Sequence, residues 1–278
     1  MAFLKRNIEL GRPLRTTAWR KVAIGTWRDA GDPSVYAQAE FECDRALAYI
    51  DKIRTKTGSK ITMNHFVGKA IALTLAQHRD INGILRFGRI YPRKNVDIFF
   101  QVASDTTGKD LSGITIRNID KKSILEISAE MQARVDRIRK QGDPEFRKMK
   151  GTMGGLPGMF ARYVLNFAGF LMYTLNLWSP LLGSPRDPFG SCMITNIGSL
   201  GLDSAFAPLV PYSRVPLLIA LGAVKPTPVV RDGALAVAQV VRLCVTLDHR
   251  LIDGMHASHM ARTLTKIFAN PESELGDV

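Results

Sequence analysis

Asp248-His249-Arg250-Leu251-Ile252-Asp253-Gly254, near the C-terminus, is the stretch on which the reading of this chain turns. It follows a strand-like run, Val240 to Leu247, and precedes a helix-like run, Met255 to Phe268. A histidine at a strand-to-helix junction is held by backbone on both sides. An aspartate four residues later stands where the helix begins. The placement suits a fixed general base with a carboxylate supporting its loop. It equally suits a surface turn with a salt-bridged arginine, and spacing alone leaves both readings open.

Strands and helices mix along the chain. Val35 to Glu42, Val96 to Val102, Gly113 to Ile116, Cys192 to Thr195, Leu217 to Leu221 and Leu235 to Leu247 read as strands, the last preceded by an Asp232-Gly233 hairpin turn. Arg45 to Arg54 and Asn64 to Gln77 read as amphipathic helices, the second with Phe66, Ala70, Leu73 and Ala76 on one face. Trp19 to Trp27 reads as a helix start, and Ile124 to Arg139 as a charged helix ending at Gly142. Such a mixture indicates an α/β or α+β layered domain.

Several stretches together carry a resemblance. His-Arg-x-x-Asp-Gly after an apolar strand is similar to the active-site signature of the dihydrolipoyl acyltransferases of 2-oxoacid dehydrogenase complexes, which have the chloramphenicol acetyltransferase-like fold. Trp19-Arg20-Lys21-Val22, Thr62 to Ala70, Asp80-Ile81-Asn82, Arg117 to Ser123 and Met193-Ile194-Thr195-Asn196-Ile197-Gly198 resemble further family stretches, in family order, over about residues 15–140 and 190–272. The resemblance implies a mixed sheet covered by helices on one side, assembled as a homotrimer. It implies acyl transfer with coenzyme A (acyl-CoA) as substrate, and a lipoyl group only if another protein supplies it.

Acyl transfer between thiols needs a base for the thiol proton and a donor for the tetrahedral oxyanion. His249 is the candidate base, since imidazole titrates nearest neutral pH. Thr195 is the candidate oxyanion donor, where family members usually carry Ser; an ordinary β-branched strand residue is its plain alternative. The family pattern pairs Asp253 with the arginine of the first helix, here Arg20, and Asp253 also suits the cap of the following helix. Asn196, Arg250 and Gly254 complete the expected support of the site. Cys192, three positions from Thr195, points to the opposite face of a regular strand and is not taken as a nucleophile. Asp253, His256 and His259 mimic a metal set, but a helical histidine pair without a further ligand motif is usually surface decoration, so no metal is expected.

Departures from the family bound the function. The 278 residues read as a single catalytic domain, without lipoyl domain, peripheral-subunit-binding domain or Pro/Ala-rich linker. The family stretch Gly-Leu-x-x-Pro-Val-Ile-Arg reads Asp110-Leu111-Ser112-Gly113-Ile114-Thr115-Ile116-Arg117 here, without the proline. The acidic end, Ser273 to Val278, is a poor anchor for a cubic core, so a trimer that goes no further is expected. A separate lipoyl-carrying protein or 2-oxoacid dehydrogenase components are the expected partners.

Leu156 to Gly183 is an apolar insertion whose only charge is Arg162, preceded by a basic run from Arg134 to Lys150. It fits a packed helix, a substrate lid, a membrane-surface helix or, least well, a membrane span. The formal charge of +13 suits an anionic ligand or membrane surface as well as a solvated basic surface. No nucleic-acid-binding pattern accompanies it, so no nucleic acid is expected. Three scattered cysteines and a start without an apolar signal core fit a cytoplasmic location, with peripheral membrane contact through 156–183 as the variant. The alternative to an enzyme is a non-catalytic scaffold or membrane-associated assembly subunit that keeps the fold.

Overall fold

A computed structural model describes residues 5–15, 33–103, 111–141, 158–180 and 184–276. The predicted first helix, with Arg20, lies outside them. The elements in chain order are β1 (Lys5–Arg6), β2 (Ser34–Glu42), α1 (Asp44–Thr57), α2 (Met63–Gln77), β3 (Gly83–Arg86), β4 (Arg89–Pro92), β5 (Ile98–Ala103), β6 (Leu111–Ile116) and α3 (Ile124–Gln141). They continue with α4 (Gly158–Gly169), β7 (Leu177–Trp178), β8 (Cys192–Asn196), β9 (Leu217–Leu221), β10 (Lys225–Arg231), β11 (Ala234–Asp248), α5 (Gly254–Ala269) and α6 (Pro271–Leu275).

Seven strands form one mixed sheet in the order β10-β11-β9-β8-β5-β6, with β2 also paired to β11. The β5–β8 and β8–β9 pairs are parallel, and the rest antiparallel. Alternation along each strand sends side chains to two faces. Ile98 and Phe100 of β5, Cys192 and Ile194 of β8, and Leu243 and Leu247 of β11 meet α1, α2, α3 and α5 in the main core. Phe99 and Met193 point the other way, onto a smaller core with Ile8, Ile84, Met172, Tyr173 and Phe189. Gly113 of β6 is forced by the second face: a Cβ there would lie 1.8 Å from the Phe99 ring. The family's missing proline falls at Ile114, a buried ladder residue opposite Phe100.

Within the described residues the predicted strands and helices are found, with three corrections. Helix α2 is not amphipathic about Phe66, Ala70, Leu73 and Ala76: Val67, Ile71, Ala72 and Leu75 are buried too, while Leu73 and Ala76 are only partly so. It is a central helix, with neighbours on nearly every side. Strand β5 begins at Ile98 rather than Val96, because Asp97 turns aside to accept from Arg117 Nη1 (2.9 Å) and the Asn118 amide (2.8 Å). Two hairpin strands, β3 and β4, go unread in the sequence: Phe87-Gly88 joins them with both residues at positive φ, 45° and 71°, and Phe is an unexpected residue for that turn.

Among its described residues the insertion holds one α-helix, α4, whose last turn widens into a π-turn at Phe170–Thr174. Among the described residues no helix is long and apolar enough to cross a membrane.

Candidate active site

Strand β11 delivers His249 to the end of the sheet. Its register is fixed on both sides, by Leu247 opposite Val35 of β2 and opposite Leu217 of β9. The chain then turns tightly: the amides of Leu251 and Ile252 both donate to the Asp248 carbonyl at 2.9 Å. The Asp248 carboxylate takes the Arg250 guanidinium in a two-point contact, Nε at 2.9 Å and Nη2 at 2.7 Å. Both side chains are buried. Arg250 is therefore salt-bridged, as the plain reading of the turn had it, but inside the protein rather than on its surface. Leu251 and Ile252 anchor the turn in the main core.

His249 stands half-buried above this plug, its amide donating to the Pro33 carbonyl at 2.8 Å. Its Nδ1 lies 3.0 Å from the Ile252 carbonyl. A carbonyl only accepts, so in the neutral ring the proton sits on Nδ1 and the lone pair on Nε2. This is the tautomer a general base at Nε2 requires.

Asp253 is the N-cap of α5: its Oδ1 accepts from the amides of Met255 and His256, each at 3.1 Å. It also meets His256 Nδ1 at 2.7 Å, and the far nitrogen of that ring reaches Asp80 at 3.1 Å. Asp80, quoted in the sequence only as part of the Asp80-Ile81-Asn82 stretch, is thus a neighbour of this cap. His259 stacks on His78, 5.8 Å between centroids. Gly254 needs neither positive φ nor space within the described residues, since a Cβ there would meet nothing within 4 Å.

Thr195 sits half-buried near the end of β8, on the face of Met193 and opposite that of Cys192, as its alternation requires. Cys192 is buried, and burial pushes its thiol far up, away from a reactive thiolate. Asn196 closes the turn after the strand: its Oδ1 accepts from the Ser199 amide at 3.2 Å, and its carbonyl from the Ser199 hydroxyl at 2.7 Å.

Thr195 and His249 do not meet within one chain. Thr195 pairs with Ala220 of β9, and Ala220 with Cys244 of β11. Two strand spacings of about 4.8 Å and five residues at about 3.3 Å separate them, on the order of 15–20 Å in all. A polar cavity of about 310 Å³, lined by Arg93, Asp97, Arg117, Arg186 and Asp187 among others, contains none of the predicted site residues.

This architecture is shared with acyl-transferring proteins. The fold matches that of a probable dihydrolipoamide acetyltransferase from Listeria monocytogenes 4b F2365, with a TM-score of 0.65 at 18% identity over 95% of this chain and 97% of that one. It also matches a chloramphenicol acetyltransferase, with a TM-score of 0.56 at 16% identity over 91% and 96%. The chain belongs to the 2-oxoacid dehydrogenases acyltransferase (catalytic domain) family, whose profile matches residues 16–152 and 188–275. The break between the two matches encloses the apolar insertion. Among sequence relatives, the dihydrolipoyllysine-residue acetyltransferase component of the pyruvate dehydrogenase complex of Staphylococcus epidermidis is 26% identical over 223 residues, 80% of this chain and 41% of that protein. The chain spans less than half the length of the curated relatives it matches.

Proposed function

We propose that this chain is an acyltransferase domain that moves an acyl group between coenzyme A and a thiol of the dihydrolipoyl type. His249 Nε2 takes the proton of the attacking thiol. The thiolate adds to the thioester carbonyl, and the Thr195 hydroxyl donates to the oxyanion that forms. The tetrahedral adduct then expels the second sulfur, which recovers the proton from the imidazolium. Asp253 and Arg250 hold the turn that carries the base, Asn196 the turn beyond Thr195. Arg20 is the family's partner for Asp253. No step calls for a metal.

The observation that carries this reading is the His249 ring, held as the Nδ1–H tautomer by the Ile252 carbonyl within the family's motif. The separation of Thr195 from His249 supports a homotrimer in which His249 of one chain faces Thr195 of its neighbour. Residues 1–278 form one catalytic domain in a cytoplasmic setting, and the lipoyl group comes from a separate lipoyl-carrying protein or from 2-oxoacid dehydrogenase components.

His249→Ala should lower turnover of acetyl-coenzyme A with dihydrolipoamide at least about a hundredfold with little loss of stability, within the roughly 10² to 10⁴ range of general-base contributions. Mixing His249→Ala with Thr195→Ala chains should restore activity, because some sites then receive both intact residues. Near-normal turnover of His249→Ala sinks the reading. A second reading, a non-catalytic scaffold, is favoured by the loss of the family's proline at Ile114; wild-type trimers that bind coenzyme A without turnover would select it.

A further inference from the structure

The described side chains of helix α4 divide between a packed side and an exposed one. Inward, Gly169 packs so closely on Tyr212 that a Cβ would lie 2.9 Å from its carbonyl, and Met172 and Tyr173 of the following π-turn are buried in the smaller core. Outward, Tyr163, Phe167 and Phe170 fall at the i, i+4 and i+7 positions of one face and are 71%, 63% and 42% exposed. Asn166 completes that face.

A second element brings another aromatic residue beside it. Arg86 donates from Nε to the Thr174 carbonyl at 2.9 Å, which fixes the β3–β4 hairpin against the end of the π-turn. The tip of that hairpin is Phe87, 66% exposed. Its φ of 45° belongs to a turn that favours Asn or Gly, so a large apolar ring is held in a costly conformation and presented to the outside.

The charge on these elements has one sign. Residues 83–92 and 158–180 contain no Asp or Glu, and carry Arg86, Arg89 and Arg162. Strand β1 adds exposed Lys5 and Arg6, paired with Trp178 and Leu177 immediately beyond the π-turn. The acids nearest these stretches in sequence, Asp80, Glu9 and Asp187, meet His256, Arg186 and Arg93. Exposed aromatic rings on two elements whose own sequences carry cations and no carboxylate fit a surface that is both apolar and anionic.

We propose that this face, Tyr163, Phe167, Phe170 and Phe87 with Lys5, Arg6 and Arg89, seats the protein on an anionic lipid bilayer. The rings enter the headgroup boundary and the cations meet lipid phosphates. Contact is peripheral, and it stands apart from the acyl-transfer reading, because none of these residues belongs to the proposed site.

Cosedimentation of the full chain with vesicles tests it. Vesicles of phosphatidylcholine with phosphatidylserine should retain the protein at low salt, and release it as ionic strength rises. Phosphatidylcholine alone should retain much less. Lys5→Gln, Arg6→Gln and Arg89→Gln should each weaken binding about fivefold at low salt. Phe167→Ser with Phe170→Ser should abolish it. Phe87→Asn is the control against misfolding: it creates the Asn-Gly pair the turn prefers, so folding is kept while binding falls. No retention of the wild type, equal retention by both vesicle types, or undiminished binding by Phe87→Asn and the charge variants each overturns the proposal. So does a wild type that ignores vesicles while the serine variant loses self-association, since a second copy would then occupy the face.

Discussion

The turn at 248–254 and the stretches 158–180 and 184–190 are held by opposite means. In the turn, most of the shaping bonds close over two to four residues: Arg250 on Asp248, Ile252 on the Asp248 carbonyl, His249 on Ile252, and Met255 and His256 on Asp253, although the His249 amide also reaches Pro33. In the stretches 158–180 and 184–190 they reach across the chain. Asn176 bonds both backbone groups of Ile8, Asn7 reaches the Met172 carbonyl, and Arg186 reaches the Asn7 carbonyl. Arg93 meets Asp187 at 2.5 Å, both buried. A locally closed motif carries its geometry with its sequence. A segment closed at long range takes its shape from wherever the rest of the fold places its partners.

The sharpest way to break this contrast is to remove one long-range partner. Arg93→Ala leaves the buried Asp187 carboxylate with only the half-exposed Arg117, 3.9 Å away, as an opposing charge, which should cost about 3 kcal/mol. Urea unfolding monitored at Trp178 measures it. The double variant Arg93→Met, Asp187→Asn should lose less than the single one, since no isolated charge remains. A single-variant loss below about 1 kcal/mol would mean that the stretch 184–190 is not held by this pair.

The same contrast explains what the sequence made legible. The His249 turn, the cap by Asp253, the alternation that separates Thr195 from Cys192, and the Asp232-Gly233 hairpin all depend on neighbours within a few positions, and all were readable. Arg250 went from a surface turn to a buried pair because the burial of Asp248 depends on the strands beside it. The β3–β4 hairpin hid behind a Phe at a positive-φ position. Asp80 beside His256, and the Asp97–Arg117 and Arg93–Asp187 pairs, join residues 20 to 176 positions apart; no periodicity announces them. The distance between Thr195 and His249 follows from strand order, which spacing along a chain does not encode.

One buried local motif should make stability depend on pH. At the start of α2, His65 Nδ1 accepts from the Thr62 amide at 3.0 Å, closing a capping box. Burial, with the Arg54 charge adding to it, lowers the His65 pKa from 6.5 to about 4. The native ring is thus neutral while an unfolded chain binds a proton below about pH 6.5. Its contribution is complete above pH 6.5 and is lost as pH falls toward about 4, by at most about 3 kcal/mol. Stability measured against pH should decline across that window, and His65→Gln, which keeps a capping-box residue, should flatten the decline. An unchanged slope in His65→Gln would place the acid sensitivity elsewhere.

The smallest effect tests whether the His249 turn is as local as its bonds. If Asp253 serves stability chiefly as the cap of α5, Asp253→Ala should cost about 1 kcal/mol, the ordinary value of an N-cap. Asp253→Asn should cost less than about 0.5 kcal/mol, because asparagine caps as well as aspartate. Chemical denaturation of the two variants side by side gives both numbers under one set of conditions. A loss of about 3 kcal/mol or more in Asp253→Asn would show that the charge itself, through a distant partner such as Arg20, holds the turn. The turn would then belong with the insertion, as a motif whose shape is set from across the chain, and its legibility would have come from the family's pattern rather than from local closure.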